Sequence, residues 1–181
     1  MFGSTGGGGN AGCIGCVCID PTGAVSKQKG SGYTSPADAI PQGDNFDIDY
    51  VVHEVGHQLG ANHTFSTSNE GYGVNKEPGS GITIMGYAGI TPYDVAPHSI
   101  DTFHAGSINQ IQTNMTGKTC DVETPITHGT PVVSAGADFT VPRSTPFMLS
   151  GSATDTGGTA SMTYQWEQYD DATGTTLGTG S

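Results

Sequence analysis

The stretch HEVGHQLGANH, His53 to His63, places the tightest constraint on how this chain folds. On an α-helix each residue advances by about 100°, so His57 falls about 40° from His53, one turn on and on the same side. Two imidazoles four residues apart can share one metal ion at about 2.0–2.1 Å. Val51, Val52, Val55 and Leu59 then fall on the opposite side as a packing face. His63 adds a demand of its own. On a continuing helix it would lie ~9 Å along the axis from His57, too far to share the ion. The helix has to break, and Gly60 is the residue that can take the left-handed conformation with which helices end. Given that turn, His53, His57 and His63 supply three ligands and leave one tetrahedral position open, as in a catalytic zinc site. Glu54 sits about 60° from His57, beside the pair, where its carboxylate can serve as a general base. The bare H-E-x-x-H pattern also occurs in ordinary amphipathic helices; Gly60 and His63 separate this chain from that reading.

With these residues the chain resembles the metzincin metalloproteases. TIMGY is similar to the Met-turn of that family, in which Met85 would form an apolar base beneath the histidines. More narrowly, HEVGHQLGANHTF with EPGSGITIMGYAG resembles the reprolysin-like (adamalysin-type) proteases of bacterial secreted multidomain proteins, which commonly carry immunoglobulin-like or polycystic-kidney-disease-type repeats downstream. The resemblance covers about 45 to 120, is loose from 131 onward and is weak over the first 40 residues. It implies a zinc endopeptidase in which Glu54 activates water. It also implies a protein or peptide substrate bound in extended form along the edge of a twisted sheet. Two positions stand out. Animal adamalysins place an acid directly after the third histidine, where this chain has Thr64. Tyr87 occupies the place where astacin- and serralysin-like metzincins carry a tyrosine near zinc, so its phenol is a candidate oxyanion donor; a tyrosine simply packed in the turn is the ordinary reading.

Charge removes whole classes of partner. Five basic residues against 17 acidic ones give a formal charge of −12, so nucleic acid and anionic membrane surfaces are poor partners. No run reaches the ~20 apolar residues of a membrane span, and MFGSTGGGGN has neither the basic nor the apolar region of a signal peptide. We expect a secreted protein whose signal peptide was lost with an upstream segment. Cys13, Cys16, Cys18 and Cys120 fit disulfides better than a four-thiolate zinc site, because a second C-x(2–4)-C unit is absent. Four cysteines allow three pairings, and spacing does not choose among them. Asp44, Asp47 and Asp49 read as caps and turn residues rather than as a calcium site, since they match no EF-hand loop. Oligomeric state and peptide specificity leave no mark in the sequence.

The expected fold class is α+β. Residues 1–120 form the C-terminal part of a metzincin catalytic domain with its N-terminal sheet largely missing, 121–130 a linker, and 131–181 an incomplete all-β sandwich. Residues 1–46 read as loops with one strand, Ile14 to Ile19. The zinc helix is expected to open at Asp47 or Asp49 as N-cap, and a second helix to run from about Thr102 to Met115, capped by Asp101. Alternation over Met162 to Glu167 predicts a half-buried strand with Trp166 as a core anchor. His98 and His128 read as solvated and His104 as a packing or surface residue. A competing function is a non-catalytic adhesion or binding segment with a structural or vestigial zinc site.

Overall fold

The order of elements follows from where glycine and helix formers fall along the chain. In the computed structural model, which describes residues 1–23, 27–125, 127–158 and 162–172, two units separate. The first comprises Met1–Asp121 with the described residues from Glu167 onward, the second Val122–Trp166.

The first unit begins with strands β1 (Gly8–Asn10) and β2 (Tyr33–Ser35), paired antiparallel with Gly9 opposite Thr34. The far side of β2 takes the chain start, through Gly3 N to Thr34 O and Thr34 N to Met1 O, so β1 is the open edge among the described residues. The expected strand at Ile14–Ile19 does not form. Positive φ at Gly15 (72°) and Cys18 (68°) breaks the extended path. The segment instead turns its amides onto a helix end, with Gly15 N donating to His57 O (2.8 Å) and Val17 N to Gln58 O (3.1 Å). Disulfides join Cys13 to Cys16 and Cys18 to Cys120, which selects one of the three pairings.

Helical structure starts earlier than Asp47 and differs in kind. Asn45–Val52 is π-helical and runs directly into α1, His53–Leu59. Asp44 stands at the cap position without a side-chain hydrogen bond, whereas Asp49 accepts from Ser99 N at 3.0 Å. The expected packing face is also corrected. Only Val52 of that set joins the core, with Ile48, while Val55 is exposed. The core instead meets α1 at Gly56, where the missing side chain makes room; a Cβ there would lie 2.5 Å from Met85 Sδ and 3.0 Å from a ring carbon of Phe103. Ala61, Ile84 and Met85 form the buried centre, with Phe103 and Ile111 packed against it.

Helix α2 spans Ala105–Met115, three residues shorter at its start than the sequence pattern suggests. Its N-cap is His104 rather than Asp101: the buried imidazole accepts from Gly106 N at 3.0 Å. Imidazole nitrogen can satisfy an orphan amide of the first turn as an aspartate would. From the far end of α2, Asn114 donates to Leu59 O (2.8 Å), and Gln110 accepts from Asn62 N (2.8 Å). These bonds hold the break after α1, where Gly60 takes φ 116°. Gly60→Ala is expected to cost about 2 kcal/mol or more, since it combines a left-handed L-residue with a Cβ set 2.7 Å from Asn114 Cβ. Denaturant midpoints measure it, and a variant as stable as the parent would contradict this account of the turn.

In the second unit β3 (Val132–Ser134) pairs antiparallel with β4 (Ser152–Thr154). Residues 162–167 are not a strand, and Trp166 is 50% exposed, resting its ring edge against Gly151 instead of anchoring a core. Among the described residues the unit has two three-residue strands and no second layer for the indole to fill. The final stretch of the expected sandwich, 173–181, lies outside the described residues.

Candidate metal centre

Each histidine of the motif is aimed by a bond to its Nδ1. His53 Nδ1 meets the Ile84 carbonyl at 2.7 Å and His57 Nδ1 the Ala61 carbonyl at 2.8 Å. A carbonyl can only accept, so both rings carry the proton on Nδ1 and present a bare Nε2. His63 Nδ1 meets both carboxylate oxygens of Glu70 at 3.0 Å. The free nitrogens converge. Ligand atoms of His53, His57 and His63 all lie within 4.8 Å of one another, and the Nε2 atoms of His57 and His63 are 3.0 Å apart. A tetrahedral zinc ion holds its nitrogens about 3.4 Å apart, which this trio satisfies with small adjustments.

Electrostatics point the same way. Burial, helped by the neighbouring histidines, lowers the pKa of His53 to about 3, and burial followed by His63 lowers that of His57 to about 4. Both are therefore neutral at ordinary pH, the form in which imidazole ligates metal. Two lone pairs facing each other at 3.0 Å repel unless a cation or proton lies between them. Among the described residues this is the one group of three or more His, Cys, Asp or Glu side chains placed to hold a metal. Asp44, Asp47 and Asp49 do not converge in this way; Asp49 Oδ2 lies 3.4 Å from His98 Nδ1.

Glu54 stands beside the trio, with Oε2 buried and, among the described residues, lacking a hydrogen-bond partner. Desolvation raises its pKa to about 7. An orphaned carboxylate oxygen next to three converging imidazoles fits a site built for an ion and a water. Gly9 of β1 passes so close to this carboxylate that any Cβ would collide with Glu54 Oε1. The strand beside Glu54 is thus β1, not the one expected at Ile14 to Ile19. Tyr87 lies over the site, its ring 4.6 Å from His63 and 5.6 Å from His53. Burial, then Glu70 and Glu54, push its pKa to about 12, so the phenol keeps its proton. Met85 is fully buried beneath α1, and its carbonyl accepts from Thr64 N at 3.0 Å.

An open cleft of about 600 Å³ runs over the histidines between Gly9–Ile14 and Tyr72. A smaller pocket of about 180 Å³ opens beside His53 and Glu54, lined by Asp49, Tyr50, Ala88 and Ile90. Three participants carry no signal in the sequence. Glu70 lies in a polar Ser/Asn/Gly loop with no spacing signal, and the carbonyls of Ile84 and Ala61 have no residue-type signature at all.

No curated protein and no solved structure matches significantly. Residues 1–115 match the family described as metallo-peptidase family M12B, reprolysin-like. The match begins at residue 1 and takes in the glycine-rich stretch where the resemblance from motifs was weakest. With more than half of its length in this match, and with the histidine trio assembled as that chemistry needs, the chain belongs to the reprolysin-like metallo-peptidases of family M12B.

Proposed function

We propose that the protein is a secreted metzincin endopeptidase that hydrolyses peptide bonds at a single zinc ion held by His53, His57 and His63. The observation that carries this reading is the convergence of three metal-facing imidazoles on a partnerless Glu54 oxygen. Zinc in such a site supplies Lewis acidity toward a water molecule and a scissile carbonyl. Glu54, with a pKa near 7, takes the proton from the attacking water on Oε2 and returns it to the leaving amine. The Tyr87 hydroxyl, still protonated, donates to the oxyanion that develops on the substrate carbonyl. Met85 fills the floor under the histidines and has no contact with substrate in this scheme.

The open edge of β1 is the proposed docking line for an extended peptide. Its three residues are exposed, and it passes directly beside Glu54. Two disulfides and a −12 charge support an extracellular setting. We place the catalytic region at 1–120, a linker at 121–130 and an immunoglobulin-like or PKD-type element from 131, the last resting on the motif resemblance alone.

The test measures bound zinc and the cleavage of an unfolded protein, before chelation, after it, and after zinc is restored. Activity should vanish with the metal and return with it. A chain that binds zinc stoichiometrically and cleaves nothing would leave the binding-segment reading in its place.

A further inference from the structure

Glu77 is a buried carboxylate, 6% exposed, that the scheme above does not use. Its partners among the described residues are all neutral. Oε1 accepts from Ile82 N (2.9 Å) and Thr83 N (3.0 Å), and Oε2 accepts from the hydroxyls of Thr64 and Thr83, both at 2.5 Å. Its own amide donates to Thr64 O at 3.0 Å. Burying a carboxyl group is costly unless its oxygens are satisfied, and here four donors converge on it. Gly81, with φ 71°, lies against its side chain, where a Cβ would be about 3.0 Å from Oε2.

The two segments that Glu77 joins are those that carry the metal site. Thr64 directly follows His63. Thr83 directly precedes Ile84, whose carbonyl fixes the His53 ring; Met85, the next residue, takes Thr64 N on its carbonyl. The four bonds therefore couple the third ligand to the carbonyl that aims the first.

We propose that Glu77 is a positioning residue of the metal centre, setting the distance between His63 and the Ile84 carbonyl that orients His53. It touches neither metal nor substrate. Supporting groups of this kind alter metal affinity by about 10–100-fold when removed. The inference rests on the zinc reading, so the experiment separates the two. Cobalt(II) and zinc are each titrated into the metal-free chain, with competing chelator for affinity and the cobalt absorption bands for geometry.

Glu77→Ala is expected to weaken zinc binding by about 10–100-fold and to change the cobalt bands of the folded protein. Glu77→Gln should restore most of the affinity. Its remaining oxygen still accepts the two amides, and its amide group can donate to threonine hydroxyls that rotate to accept. A merely structural role would lower the melting temperature without moving affinity or spectrum. Folded Glu77→Ala with parental affinity and bands would overturn the proposal. Should that variant not fold, Thr64→Val with Thr83→Val removes the Oε2 bonds at nearly constant volume, and unchanged affinity there overturns it equally. A wild-type chain that binds neither metal sinks the zinc reading itself.

Discussion

Glu54→Gln is expected to retain one zinc per chain and to lose peptide hydrolysis by about 10²–10⁴-fold, the usual contribution of a placed general base. The separation of the two effects is the informative part. Glu54 bonds to none of the three histidines, and each Nδ1 has a different partner. Glutamine has nearly the same shape and fills the same space beside Gly9, so the collision that a larger group would cause there does not arise. What it lacks is a basic oxygen. Metal analysis alongside kcat for an unfolded protein substrate checks both. Loss of zinc together with activity would mean that Glu54 supports the ligands, and full activity would remove it from the mechanism.

The second large effect is on stability. Replacing Cys18 and Cys120 by serine opens a link that spans 102 residues, for which chain-entropy reasoning gives about 4–5 kcal/mol. The link between Cys13 and Cys16 spans 3, and the same reasoning gives about 2 kcal/mol. The long link should matter beyond its entropy. It fixes the segment whose amides at Gly15 and Val17 satisfy the last carbonyls of α1. Without it those carbonyls, of His57 itself and of Gln58, lose their restraint. Urea midpoints of the two double variants should therefore rank in that order, the long link costing more. Equal midpoints would contradict the proposed coupling.

How much could be read from the residues alone divides along a physical line. Interactions made by side chains with a fixed spacing were legible. The i, i+4 histidines, the break at Gly60 and the return of His63 follow from helix geometry, and the structure forms all three. Interactions made by the main chain were not. Strand β1 is Gly-Gly-Asn, with no alternation to betray it, and reads as loop. The cysteine segment reads as a strand from its Ile and Val residues, yet its amides cap a helix. The packing face of α1 was misplaced for a related reason. The turn before His53 is π-helical, which changes the angular phase, and the true contact is at Gly56, a residue with no side chain to count. His104 as a cap was hidden because histidine is not among the residues preferred there.

The three candidate ligands are not equally open to change. His53 and His57 are oriented by the carbonyls of Ile84 and Ala61, which every amino acid supplies, so no substitution at those positions deletes the bond. His63 is oriented by the Glu70 side chain, on a surface loop, and one codon change removes it. Variation across a lineage, or in a directed library, can therefore adjust how firmly the third imidazole is held while the other two stay as they are. Under the zinc reading, the grip on the metal becomes a quantity that a loop can tune without rebuilding the helix beneath it.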